Sequence, residues 1–156
     1  MNQHLPRPPL DASALRDGLV GPGLPWRRLD VVDETGSTNA DLLARATAGE
    51  DIDGVVLIAE YQTSGRGRLG RHWSAPPRTQ LALSVGVGAD AVSTSGWGWL
   101  PLATGVATAD ALAEVAGIEA GLKWPNDVVV GEGKLAGILA EAAAPKPVIV
   151  VGLGLN

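Results

Sequence analysis

The first 25 residues are proline-rich, and their apolar and polar positions follow no fixed period. One short helix is expected there: Asp11 can cap ASALRDGL, and Gly21 follows beyond its end. From Trp26 the texture changes. WRRLDVVDE (26–34) predicts a strand. STNADLLARATAG (37–49) predicts a helix, begun by Ser37 or Thr38, with a cap-box-like Thr38/Asp41 pair and Gly49 at its end. GVVLIAEY (54–61) is a short apolar run, expected as a buried strand, and QLALSVGV (80–87) alternates toward another. Over 96–117, Leu102, Val106, Ala109 and Leu112 fall on one helical face. GLKW, DVVV, KLAGILAEA and VIVVGLGL then follow with only short turns such as GEG and PKP between them. A parallel crossover needs roughly a dozen residues or more, so these runs predict antiparallel hairpins. The fold class is α+β: a mixed, largely antiparallel sheet backed by helices on one face. The chain divides into an N-terminal arm, 1–25, and one domain, 26–156, with no internal repeat.

Composition narrows the function classes. With 156 residues, 46% of them apolar and 19% charged, the chain has material for one genuine core and is not a disordered segment. A net charge of −5 argues against a protein that coats nucleic acid phosphates, and there is no room for a helix-turn-helix before Trp26, so no sequence-specific DNA partner is expected. Zero cysteines exclude disulfides, cysteine-held zinc and a thiol nucleophile, and suit a reducing cytoplasm. No apolar run reaches the roughly 20 residues of a membrane span, and no signal-like core is present. A cytoplasmic protein without a membrane partner is the expectation.

Within this acidic chain, GRGRLGR (65–71) concentrates Arg66, Arg68 and Arg71 among three glycines, directly after an apolar strand. Successive amide N–H groups in such a loop form a concave anion nest, and arginines add bidentate donors. The segment lacks the lysine and hydroxyl ending of a P-loop, and its glycine spacing alone is weak evidence for a dinucleotide site. A repeat-type RNA segment or a solvated surface loop are the blander readings; a loop that closes on a phosphate or carboxylate fits better. In GLKWPNDVVV (121–130), Pro125 favours an extended Trp124 and Asn126-Asp127 a turn. Lys123 beside the Asp127 carboxylate is a pairing suited to a polyphosphate and its magnesium. Lys134, opening KLAGIL, reads by itself as a solvated strand-end charge. Ser37, Thr38, Asn39 and Gln62 offer neutral donors and acceptors near one sheet edge, a set suited to a polar uncharged head such as an amide or urea. His4 and His72 have no metal-ligand spacing, and no Ser–His–Asp arrangement is evident.

Taken in order, GSTNADLL, AEYQTSGRGRLGRHW, KWPNDV with GKLAGIL, and VGLGLN closely resemble the catalytic domain of biotin protein ligases, from about Trp26 to Asn156. The resemblance implies the class II aminoacyl-tRNA synthetase/biotin ligase-like fold and an ATP-dependent, AMP-forming ligase. Biotin would be activated to biotinyl-5'-AMP and passed to a lysine of a biotin carboxyl-carrier domain, as in acetyl-CoA carboxylase. It implies Ser37, Thr38, Asn39, Gln62, Arg66, Gly67, Arg68 and Lys134 for biotin. For ATP and the adenylate it implies Arg68, Arg71, Lys123, Asn126, Asp127 and Asn156. Lys134 and Arg68 would serve catalysis and Asp127 a magnesium ion.

The absence of an N-terminal winged helix resembles the non-repressor type. The family's catalytic domain extends beyond the equivalent of Asn156, so a C-terminally shortened chain is expected. A lipoate ligase of the same fold and a non-catalytic biotin-binding module are the alternatives; a homodimer is left open.

Overall fold

The computed structural model describes residues 7–156; the start of the proline-rich arm, with His4, lies outside the described residues. The elements run α1 (Ala12–Leu19), β1 (Arg28–Val32), α2 (Thr38–Thr47), β2 (Val55–Ala59), β3 (Gly65–Arg66), β4 (His72–Trp73) and β5 (Leu81–Gly88). They continue with α3 (Leu100–Ala116), β6 (Gly121–Lys123), β7 (Asp127–Val130), β8 (Gly133–Ala143) and β9 (Val148–Leu155). Seven strands form one sheet in the order β1-β2-β5-β9-β8-β7-β6, and β3 and β4 form a separate hairpin. Only β1 and β2 pair in parallel; the other neighbours are antiparallel, as the short turns required.

The helices do not share one face. On β9, Val148 and Val150 pack with Leu42 and Ala46 of α2, whereas Ile149 and Val151 pack with Leu100 and Leu112 of α3. Leu15 and Trp26 cover Leu29, Val56 and Ile58, on the same side as α3 because Val56 pairs Val85 and Val85 pairs Val151. So α2 lies on one face and α1 and α3 on the other. The physical reason was present in VVLIA and VIVVG: runs apolar at successive positions need cover on both sides.

Two helices differ in detail from their sequence reading. Ser37, not Thr38, caps α2, its hydroxyl accepting from the Ala40 amide at 3.4 Å. Asp41 accepts instead from the Thr35 hydroxyl at 2.5 Å. In α3, Val106 is exposed and Gly105 is buried in its place, where a methyl group would come within 3.0 Å of Leu122. The bare glycine lets the helix approach β6, which turns Val106 outward. The described part of the arm belongs to the same body: Arg16 donates to the Leu29 carbonyl at 2.8 Å, and the Leu10 amide donates to the buried Glu60 carboxylate at 2.5 Å.

One irregularity positions chemistry. In the β7–β8 ladder Val128 pairs Ala136 but Val129 pairs Lys134, so Leu135 is an extra residue. This bulge resets the alternation. Without it Lys134 would share the α3 side of the sheet with Ala136 and Ile138. With it Lys134 joins Asp127 and Gly137 on the α2 face.

Candidate functional site

Beyond the N-terminus of α2, on the same face of the sheet, lies a cavity of about 400 Å³. Its size is typical of a small-molecule site. Its floor is β9 and β8, and GLG on β9 explains why it is deep. A Cβ on Gly152 would collide with the Asn39 amide, and one on Gly154 with the Trp73 indole. Trp73 also lies over Gly137, and its indole N–H donates to Gln80 Oε1 at 2.5 Å.

The inner end is a neutral polar well. Ser37, Thr38 and Asn39 enter from the first turn of α2, Gln62 from beyond β2 and Ser84 from β5; all five side chains are buried. Gln62 Oε1 accepts from the Thr38 amide at 2.9 Å. The Asn39 amide nitrogen donates to the Leu139 carbonyl at 3.1 Å and to Glu141 at 2.8 Å, and Ser84 Oγ donates to Asn39 Oδ1 at 2.5 Å. These groups are tied to one another before any ligand arrives.

The outer end is cationic. Arg66, Arg68, Arg71, Lys123 and Lys134 line it, and Asp127 is the one carboxylate among the described lining residues. The arginines stand on the β3–β4 hairpin, whose tip is closed by the Gly67 amide donating to the Arg71 carbonyl at 2.7 Å. Leu69 takes a left-handed φ of 57° there and is 86% exposed.

Here three sequence expectations change. Arg66 does not wait for an external anion: its guanidinium meets both oxygens of Glu141, at 2.9 and 3.0 Å. Of the hairpin's three arginines, Arg68 and Arg71 have no ion-pair partner among the described residues. Lys123 is the cross-strand neighbour of Asp127, but the ammonium that pairs with its carboxylate is that of Lys134, at 2.9 Å; the bulge decides this. The Lys134 ammonium also sits 5.4 Å from the Trp73 ring centre, within reach of its π-face.

The remaining expected residues divide. The turn of KWPND comprises Trp124–Asn126, and Asp127 already begins β7. Asn126 lines the cavity while its side chain donates to the Ile138 carbonyl at 2.8 Å, fastening that turn to β8. Gly67 lines the cavity as well. Asn156 does not: it is exposed at the end of β9, its amide donating to the Leu135 carbonyl at 2.9 Å. Ser84, Trp73 and Glu141 were missed. Glycines at every second position of an interior strand were the available signal, since they mark where other groups lie against the backbone.

The donor set does not fit a magnesium ion held by the protein. Among the described residues no three carboxylate or imidazole groups gather, and Asp127 is already paired with Lys134. No helix of the described residues is long and apolar enough to cross a membrane.

The comparisons with known proteins agree with this geometry. The model of the biotin/lipoate A/B protein ligase family matches residues 33–156. The chain is 61% identical over 153 residues to the "Biotin--[acetyl-CoA-carboxylase] ligase" of Mycobacterium tuberculosis, covering 96% of this chain and 57% of that protein. It is 39% identical over 131 residues to the "Bifunctional ligase/repressor BirA" of Escherichia coli, covering 82% of this chain and 39% of that protein. Among solved structures, the biotin protein ligase of Aquifex aeolicus in complex with biotin and ATP superimposes with a TM-score of 0.73 at 34% identity, over 84% of this chain and 53% of that one. That of Leishmania major in complex with biotinyl-5-AMP gives 0.70 at 29% identity, over 83% and 57%. The chain thus spans about half the length of the relatives it matches.

Proposed function

The chain belongs to the biotin/lipoate A/B protein ligase family, and from that premise we propose that it carries the biotin-activating site of a biotin protein ligase. The observation that carries this reading is the polarity of the cavity: a buried neutral well at one end and a cluster of cations at the other. A ligand that fits both ends has an uncharged hydrogen-bonding head, an apolar body and an anionic tail. Biotin is such a molecule, with its ureido ring, its carbon chain along Leu139 and the Trp73 ring, and its carboxylate.

In the first step a carboxylate oxygen of biotin attacks the α-phosphorus of ATP, the bond to the bridging oxygen breaks, and pyrophosphate leaves. In the second a neutral lysine amine of a biotin carboxyl-carrier domain attacks the acyl carbon. AMP leaves with the former carboxylate oxygen, and the amine loses its proton. Neither step calls for a protein nucleophile. Both call for placement and charge stabilisation. Ser37, Thr38, Asn39 and Gln62 would hold the ureido ring; Lys134 and Arg68 would bridge the carboxylate and the α-phosphate. Arg71 and Lys123 face the remaining phosphate charge, with Asn126 and Asp127 fixing that end of the wall and Asn156 beside it toward the adenine. Magnesium would arrive on the ATP phosphates, and no step is assigned to it.

Intact-mass measurement of a carrier domain, incubated with the full-length protein, biotin and MgATP, tests the whole reading. A gain of one biotin is expected. An unmodified carrier, with no biotin bound in a parallel calorimetric titration, would overturn it.

A further inference from the structure

The glycine-arginine hairpin and the neutral well meet at one carboxylate. Asn39 spends both of its amide protons on groups that only accept, the Leu139 carbonyl at 3.1 Å and Glu141 Oε2 at 2.8 Å. Its orientation is thereby fixed, with Oδ1 against Ser84 and over Gly152. The same Glu141 oxygen also accepts from the Arg66 guanidinium at 2.9 Å, and Oε1 accepts from it at 3.0 Å. One oxygen therefore joins the hairpin to the first turn of α2, through contacts that span 75 and 102 residues of chain. The ion pair is open to solvent, with the Arg66 side chain 43% and that of Glu141 27% exposed, and such a pair contributes little to stability by itself. Its effect is to hold a carboxylate against a buried amide.

We propose that Glu141 is a positioning residue for the well, and that Arg66 serves the ligand through it and not as an anion receptor. The inference rests on the biotin reading above, and it gives Arg66 a different part from the direct biotin contact that the family resemblance implies. With the hairpin seated, Arg66 keeps Glu141 turned inward, and Glu141 keeps Asn39 laid across the strand. When either link is removed, the Asn39 nitrogen loses its hold on one acceptor and the amide can turn, so the well is no longer formed in advance. Arg68 and Arg71 on the same hairpin have no such partner among the described residues and are left for the anionic tail.

The test is a double-mutant cycle on the full-length protein, with biotin affinity read by calorimetry. Arg66→Met and Glu141→Ala are each expected to weaken binding by roughly 10-fold, the order of one lost charge-assisted hydrogen bond. Because both break one chain of contacts, the double variant should bind about as Glu141→Ala does. If Arg66 met biotin itself, or if Glu141 were merely structural, the two losses would multiply to roughly 100-fold. That result overturns the inference, as would parent affinity in either single variant. Glu141→Gln separates the two contacts, since it keeps one oxygen for Asn39 but loses the charge that holds Arg66. It should bind biotin more tightly than Glu141→Ala, and Arg66→Met should add no further loss in its background. Binding no tighter than that of Glu141→Ala would take Asn39 out of the chain and overturn the inference. A further loss from Arg66→Met in the Glu141→Gln background overturns it too, without reference to how well Glu141→Ala folds. If the parent protein bound no biotin at all, the proposed function would fall first, and this inference with it.

Discussion

The two ends of the cavity are built on opposite principles. The well is buried and internally satisfied: Thr38, Asn39, Gln62 and Ser84 hold one another, and Gly152 lets Asn39 lie against the strand. The rim is exposed and partly uncompensated, with Arg68, Arg71 and Lys123 unpaired among the described residues. A buried polar group without a partner is costly, so recognition in the well has to be preorganised. An exposed cation is hydrated and can be left waiting. The well therefore suits a fixed neutral shape, and the rim an anion that comes and goes.

This contrast predicts which substitutions alter which quantity. The largest effect should come from Lys134→Ala in the full-length protein. Losing one preorganised electrostatic donor typically costs about 10²–10³ in rate. Pyrophosphate release should slow by that order while biotin affinity, set in the well, changes much less. Release at the parent rate would reduce Lys134 to a solvated charge that happens to pair with Asp127.

Gly152→Ala strikes the opposite end. Its methyl group collides with the Asn39 amide, and overpacking of this kind should weaken biotin binding by roughly 10- to 100-fold in a calorimetric titration. Binding as tight as the parent's would mean that Asn39 has another place to go, and that the well is softer than its hydrogen bonds indicate.

A smaller effect separates the rim's own residues. Trypsin should cut ligand-free protein after Arg68 several times faster than after Arg66, because Glu141 holds Arg66 on the hairpin. Biotin with ATP should slow cleavage after Arg68, and Glu141→Ala should remove the difference between the two sites. Equal cutting at both arginines in the parent would show that the ion pair does not restrain the loop.

The smallest effect lies outside both regions and serves as their control. On β1, burial disfavours the Asp30 carboxylate, but hydrogen bonds from Arg45 and Arg28, with their charges, outweigh it and hold the group below its ordinary value of 3.8. Such a group stabilises the fold above its unfolded pKa, and that contribution disappears as pH falls through the lower folded value. The urea-midpoint difference between the parent and Asp30→Asn should be constant from neutral pH down to about 4 and shrink below it. A difference that persists unchanged at lower pH would remove the ion pairs as its cause.

Much of this molecule is legible along the chain, for local reasons. The antiparallel hairpins follow from turns too short to cross a sheet. The start of α2 at Ser37 and its close near Gly49 follow from groups within a few residues. The neutral set Ser37, Thr38, Asn39 and Gln62 was also evident, because one helix start and one strand end deliver it. What escaped depends on registers between distant strands. Alternation along KLAGIL places Lys134 with Ala136, and only the extra residue in the β7–β8 ladder turns it toward Asp127. Arg66 lacks an anion in its own neighbourhood and finds one 75 residues away at Glu141. Ser84, one polar position in an apolar strand, acquires its meaning from Asn39, which α2 lays across it. The sequence by itself determined the elements, the glycine-arginine hairpin and the chemistry available at the site. The tertiary structure decided which face each helix covers, which lysine meets the carboxylate and which side chains Asn39 lies against, because each of these is a pairing between residues that no local period connects.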